Sequence, residues 1–178
     1  SPAYSLLSQD HAKLLQITDL LQPGAVYASS PQRFAKALQA IGHESLIFSE
    51  LLAEPVSAAV EVAHATVQPE TIAKILFTSG STGSPKGVIN TQRMLTANQQ
   101  QSLQVWPFLA DEPPITVDWL PWNHTFGGNY NFHMVLSNGG TMYLDGGKPV
   151  PGLFDESLRN LSEIAPTTYF NVPRGFDL

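Results

Sequence analysis

The run Thr78-Ser79-Gly80-Ser81-Thr82-Gly83-Ser84-Pro85-Lys86-Gly87 constrains this chain more than any other stretch. Ile75-Leu76-Phe77 lead into it and Val88-Ile89 lead out, so apolar, β-prone residues bracket a polar loop and predict strand–loop–strand. Its glycines, Gly80, Gly83 and Gly87, let the backbone approach a ligand closely, and successive N–H groups can then converge on an anion. Ser79, Ser81 and Thr82 add hydroxyl donors, and Lys86 supplies a mobile ammonium that acts on phosphate as a point charge. Pro85 fixes φ ahead of the lysine and stiffens the far arm. These residue types in this order predict a polyphosphate cradle.

Two familiar phosphate loops do not fit. A Walker A loop requires a hydroxyl residue directly after the lysine to reach Mg2+, and here Gly87 follows Lys86. A dinucleotide fingerprint needs G-x-G-x-x-G, which the spacing from Gly80 to Gly83 does not supply. A flexible Gly/Ser surface linker is the competing reading. The shortness of the loop, its apolar brackets and its Pro-Lys-Gly ending favour the phosphate loop.

The remaining composition narrows the partners. With 178 residues, 43% of them hydrophobic and 13% charged, the chain can bury a sizeable core and is no disordered polyelectrolyte. A net charge of −6 argues against nucleic acid or an anionic membrane as partner, so a phosphate ligand must be held by local donors. Without cysteine there is no disulfide framework, thiolate metal site or thiol nucleophile. No signal peptide and no bilayer-spanning apolar run is apparent, so a cytoplasmic setting and no membrane are expected.

The N-terminal residues read as irregular. Ser8 is expected to cap a helix over 9–22, with Leu14, Leu15, Ile17, Leu20 and Leu21 as its apolar stripe and Pro23-Gly24 as its stop. A short buried strand is expected at 25–28, a helix from Pro31 (capped by Ser30) to Gly42, and a strand at 45–48. Residues 54–70 read as a connecting loop, with at most a marginal strand in it, and His64 as an ordinary surface or half-buried histidine. Strand 73–77 feeds the phosphate loop and Val88-Ile89 pair back against it. Asn90 or Thr91 caps a helix to about Leu103, whose run Asn98-Gln99-Gln100-Gln101 reads as a solvated face. Strands follow at 115–120, 141–144 and 167–171, with helices at 129–136 and 154–164. This alternation predicts an α/β fold, layered α/β/α, with a mostly parallel sheet covered by helices.

The second informative stretch is Leu120-Pro121-Trp122-Asn123-His124-Thr125-Phe126-Gly127-Gly128. A strand ends in a proline turn and the glycine pair opens a helix, the place where open α/β sheets present ligands. His124 is expected there beside Trp122 and Phe126, as a general base, as a gate or wall of an organic-acid pocket, or as a hydrogen-bonded core residue. The aromatic residues suit a flat aryl substrate, though such a cluster also makes plain core. His133 and Met134 read as packing.

Ile75 to Gly87 resembles the signature phosphate loop of the adenylate-forming enzymes: acyl- and aryl-CoA synthetases, luciferases and peptide-synthetase adenylation domains. The resemblance implies that Thr78, Ser79, Gly80, Ser81, Thr82, Gly83, Ser84 and Lys86 wrap the β- and γ-phosphates of ATP while a carboxylate attacks the α-phosphorus. It implies Lys86 and His124 as the residues nearest the chemistry, with His124 as pocket wall or gate. Trp122, His124, Phe126, Gly127 and Gly128 become the acid pocket, and Thr82 the candidate contact for Mg2+. The stretch Trp122 to His133 is most similar to bacterial feruloyl-CoA synthetases, which activate hydroxycinnamic acids. ATP, Mg2+ and coenzyme A are the implied cofactors, and a small carboxylic acid the implied substrate.

By that resemblance, residues 1–178 form a single partial domain, the N-terminal portion of the family's large domain. The segments for adenine and ribose, and the mobile C-terminal domain with its lysine, are expected elsewhere. The piece alone is therefore expected to be inactive, and to self-associate through apolar faces left bare. Two alternatives stay open: another adenylate former, either a fatty acyl-CoA synthetase or an adenylation domain, and a non-catalytic phosphate- or nucleotide-binding module.

Overall fold

The computed structural model describes residues 2–78 and 84–177. The chain divides into two compact units, one of residues 1–68 and 77–88, the other of residues 69–76 and 89–178. Among the described residues the strands pair by twos, β1–β2, β3–β4 and β5–β6. The result is a mixed α/β structure with parallel strand pairs, as the alternation of elements predicts.

The first unit runs α1 (Pro2–Ser5), α2 (Ala12–Leu21), β1 (Val26–Tyr27), α3 (Ala35–Ile41), β2 (Ser45–Leu46), α4 (Phe48–Ala53) and α5 (Ala58–Ala65). The crossover through α3 sets β1 and β2 parallel, Val26 opposite Ser45 and Tyr27 opposite Leu46. Gly42 closes α3 at φ 67°, a left-handed position that a side chain would strain.

Several expectations need correction here. The first residues form the short α1 rather than an irregular segment. Helix α2 starts at Ala12, not at residue 9, because Ser8 Oγ is taken by the His11 N–H (3.0 Å) and His11 itself is left-handed at φ 52°. Asp10 Oδ1, not Ser8, then accepts from the Ala12 N–H, at 3.1 Å. The next helix begins at Ala35, since residues 31–34 form turns, with Ser30 Oγ accepting from Arg33 N at 3.4 Å. Strand β1 is not buried, as Tyr27 is 53% exposed. Strand β2 stops at Leu46, and Phe48 opens α4. Helix α5 replaces the loop expected at 54–70: the alanine-rich run 58–65 follows its strong helical propensity, where a weak alternation had suggested none. His64 is exposed, as expected.

Strands β3 (Ile72–Thr78) and β4 (Lys86–Thr91) flank the glycine-hydroxyl loop. The second unit continues with α6 (Gln92–Val105), α7 (Phe108–Asp111), β5 (Ile115–Asp118), a wide helical stretch (Thr125–Asn131), α8 (Phe132–Ser137), β6 (Thr141–Leu144), α9 (Phe154–Ile164) and α10 (Pro173–Phe176). Thr91 caps α6, its Oγ1 accepting from Met94 N at 3.3 Å. The crossover from β5 through α8 makes β6 parallel to it, with Asp118 opposite Leu144. Leu109, Met134 and Val135 form the core, with Leu103, Trp106, Met142 and Phe170 packed against them.

Asp145, just past β6, pins α9 with both carboxylate oxygens. Oδ1 accepts from Gly147 N (2.8 Å) and Asn160 Nδ2 (2.7 Å), and Oδ2 from Ser157 Oγ (2.6 Å). Residues 167–171 do not form the expected strand. They lie beside β5, but Thr167 Oγ1 takes the Ile115 N–H at 3.0 Å, so a side chain occupies the place of a ladder carbonyl. Gln99 also departs from the solvated face assigned to it: it is 5% exposed and donates to Asn129 O at 3.1 Å. No helix among the described residues is long and apolar enough to cross a membrane.

Candidate functional site

The phosphate-loop motif has the flanks it requires. Thr78 is the last residue of β3, and Lys86 the first of β4, both exposed. Ser84 is exposed just before Pro85. Ser79, Gly80, Ser81, Thr82 and Gly83 lie outside the described residues, and with them the candidate Mg2+ contact. Among the described residues the one salt bridge joins Arg93 to Glu70, so no acidic side chain pairs with Lys86. No group of three or more His, Asp or Glu side chains able to hold a metal occurs among them.

The second predicted site is a tightly folded corner. Strand β5 ends at Asp118, whose Oδ1 turns back to accept from Leu120 N at 3.2 Å, an Asx-type turn. His124 N then donates to Pro121 O at 3.1 Å, closing the proline turn. The His124 ring caps the following helical stretch, Nδ1 accepting from Phe126 N at 3.2 Å. Accepting there requires the lone pair on Nδ1, which leaves Nε2 as the position for the proton. His124 is exposed, so the buried-core alternative for it is excluded.

The helical stretch begins at Thr125, four residues ahead of the expected start, with Gly127 and Gly128 inside it. It is a wide turn: Phe132 N bonds back five residues to Gly127 O. Both glycines are buried against the proline turn. A Cβ on Gly127 would lie 2.6 Å from Pro121 O, and one on Gly128 would lie 2.1 Å from Trp122 O. Only residues without side chains let this helix sit on that corner.

The two aromatic residues assigned to one pocket part company. Phe126 joins Tyr130 and Phe170, with ring centroids 6.1 and 6.3 Å away. Trp122 packs instead on Phe132, centroids 4.9 Å apart. Met134 is fully buried, and the His133 ring meets Phe132 edge-on, so both pack as expected.

Beside Phe126 lies a cavity of about 530 Å³, walled by Thr125, Phe126 and Tyr130 on one side and by Met94 and Asn98 of α6 on the other. Asn90 and Asn129 complete it, Asn129 Nδ2 donating to Asn90 Oδ1 at 2.7 Å. Burial raises the Tyr130 phenol above its usual range, opposed in part by its hydrogen bond to Ser102. From the sequence Asn90 reads as a helix-cap candidate and Asn98 as part of a solvated face, so neither is assigned to a pocket. The one signal was spacing: Met94 and Asn98 stand four apart and so share a helix face. Beneath the corner, Asp118 is 4% exposed, and burial pushes its carboxyl above the usual carboxylate range despite the Asn131 Nδ2 donor at 3.1 Å.

Parallel strand pairs, a glycine- and hydroxyl-rich run between two strands and a His-capped glycine corner make this a mixed α/β chain with a ligand-sized cavity beside its strand-to-helix corner. The sequence pattern of the AMP-binding enzymes matches residues 7–178, and the chain belongs to that family. A carboxylic acid reductase of Mycobacterium tuberculosis is 32% identical over 109 residues, which are 61% of this chain and 9% of the reductase. A Rhodococcus jostii propanoyl:CoA ligase, whose acyl group carries a methyl-dioxo-octahydroindenyl ring system, is 29% identical over 129 residues, 70% of this chain and 24% of the ligase. The chain thus spans at most a quarter of either relative. Among solved structures, the o-succinylbenzoate CoA synthetase of Bacillus subtilis in complex with its acyl-adenylate superposes with a TM-score of 0.68 at 19% identity, covering 96% of this chain and 42% of that one.

Proposed function

We propose that residues 1–178 form the N-terminal part of the large domain of an ATP-dependent acid–CoA ligase, and that its acid is a hydroxycinnamate such as ferulate. A substrate carboxylate oxygen attacks the α-phosphorus of ATP and pyrophosphate leaves. The thiol of CoA then attacks the acyl carbon and AMP leaves. The observation that carries this reading is the cavity beside the His124 corner. Phe126 and Tyr130 offer ring faces to an aryl group, while Asn98 offers its amide to a ring hydroxyl or methoxy substituent.

Lys86 is exposed and lacks an acidic partner among the described residues, so its charge is available to phosphate. Thr78, Ser84 and the loop residues 79–83 would hold the β- and γ-phosphates with it. Stabilising charge on departing pyrophosphate is the main demand of such a transfer. Mg2+, with Thr82 as its candidate protein contact, supplies further neutralisation when bound. His124, exposed and committed to capping the Phe126 N–H, suits a wall or gate better than a base.

Acid-dependent exchange of pyrophosphate into ATP, measured on the natural polypeptide carrying these residues, tests the reading. Ferulate is expected to give a higher kcat/KM than benzoate or a long-chain fatty acid. Lys86→Ala should lower exchange by about 10²–10³-fold. Residues 1–178 alone should give none. Preference for the fatty acid would reject the hydroxycinnamate assignment, and full activity in Lys86→Ala would reject the phosphate-loop role.

A further inference from the structure

The helical stretch and α8 wall a second cavity that the proposed acid pocket does not use. Phe126 and Tyr130, four residues apart, share the side that faces the first cavity. Gly128 and Phe132, also four apart, share another, and together with Trp122 and His133 they border a space of about 380 Å³. Lys74 of β3 and Gln92 of α6 close it.

Three features of this cavity point to a ligand. Trp122 is 46% exposed although its ring is already tilted 48° against Phe132, so aromatic surface stands open to the space. Lys74 is half-buried with no hydrogen-bond or salt-bridge partner among the described residues, and burial lowers its ammonium below the usual lysine range. Gly128 brings the helix backbone against Trp122, and His133 is held in place by its Nδ1, which meets Gly128 O at 2.6 Å. In a chain of net charge −6, a partly desolvated cation without a counter-charge, set beside open ring faces, favours one class of molecule.

We propose that this second cavity binds a small aromatic carboxylate, its ring against Trp122 and Phe132 and its carboxylate at the Lys74 ammonium. The site shares the Leu95 wall with the acid-activating cavity but none of its other lining residues, and it does not depend on the ligase assignment. Its carboxylate would gain a charge-assisted hydrogen bond in a partly dry setting, worth roughly tenfold or more in affinity.

Calorimetric titration of the natural polypeptide carrying these residues with 2-naphthoate, and with the neutral 2-naphthamide, tests this. Naphthoate should bind at a site that depends on Lys74, and naphthamide there about tenfold more weakly. Lys74→Gln should weaken naphthoate about tenfold and leave naphthamide unchanged, with Lys74→Arg restoring naphthoate. Trp122→Leu should weaken both compounds, whereas Leu136→Ala, exposed on α8 and lining neither cavity, should weaken neither. The proposal fails if naphthoate does not bind at millimolar concentration, if Lys74→Gln binds it as the parent chain does, or if Leu136→Ala abolishes binding while Trp122→Leu retains it. Circular dichroism of each variant separates lost binding from lost fold.

Discussion

Residues 46–68 and residues 114–135 are both rich in apolar side chains, and the structure treats them in opposite ways. Every residue of the first stretch is exposed, Leu52 at 70%, Val56 at 74% and Val62 at 67%. In the second, Val117 is 2% exposed, Met134 is fully buried, and even Thr116, Asp118 and Asn131 are buried. The difference does not lie in hydrophobicity. Helices α4 and α5 follow local propensity; Phe48 of α4 meets the Tyr27 ring (centroids 6.2 Å apart), but no glycine fit or long-range side-chain hydrogen bond anchors either helix among the described residues. The corner from Asp118 to Asn131 is fixed by interlocks: an Asx turn, a histidine cap and two glycines against a proline turn. Apolar residues become core where such interlocks hold elements together, and otherwise remain surface.

Truncating one residue from each stretch gives the largest expected contrast. Met134→Ala should cost about 2–5 kcal/mol, since the fully buried side chain leaves a cavity between Leu109 and Val135. Leu52→Ala should fall within about 0.5 kcal/mol. Urea denaturation followed by far-ultraviolet circular dichroism measures both, and equal costs would break the comparison. Glycine offers the next contrast. Gly128→Ala forces a Cβ to within 2.1 Å of Trp122 O and should cost about 1–3 kcal/mol or more. Gly24→Ala meets nothing within 4 Å and should be neutral or stabilise by up to about 1 kcal/mol.

The same division explains what was legible beforehand. Helix α9 is legible with its full bounds after the Gly146-Gly147 turn, and β3, β4 and β6 from short apolar runs, all local signals. Helix α5 was missed because weak alternation concealed alanine propensity. The 167–171 strand was wrongly expected because one hydroxyl, Thr167 Oγ1, takes a ladder position, which no pattern encodes. At the candidate site, the histidine, glycines and aromatic residues were legible as residue types. Their sorting onto two cavities was not, since that depends on helical phase through a wide turn whose start is set by the His124 cap. Asn98 and Asn129 were invisible for a related reason: a polar residue reads as solvated until another element covers it.

The buried acid of the corner carries a smaller, pH-dependent effect. Burial raises the Asp118 carboxyl, and its Oδ2 has no hydrogen-bond partner among the described residues. For a group raised in the folded state, the contribution to stability is fully present below the ordinary value, near 3.8, and is lost as pH rises through the elevated one. Asp118→Asn keeps an acceptor for Leu120 N and Asn131 Nδ2 while removing the charge. It should therefore raise stability near neutral pH by about 1 kcal/mol and flatten the pH profile above 3.8. Urea midpoints measured from pH 4 to pH 8 check this. A loss of stability at pH 7 would mean that the ionised carboxylate is itself holding the corner.

The finest contrast lies between two helix caps. Thr91 and Ser57 both precede helices with extended backbone, at ψ 165° and 160°, and both residue types are good caps in isolation. Thr91 Oγ1 accepts from Met94 N, whereas Ser57 makes no side-chain cap bond. Thr91→Ala should thus cost about 1 kcal/mol and Ser57→Ala close to nothing. Amide hydrogen exchange in the first turn of each helix reads the two separately, and only the Met94 amide should lose protection. Were Ser57→Ala to cost as much, its hydroxyl would be capping α5 in solution, and α5 would be anchored as α6 is rather than resting on its alanines alone.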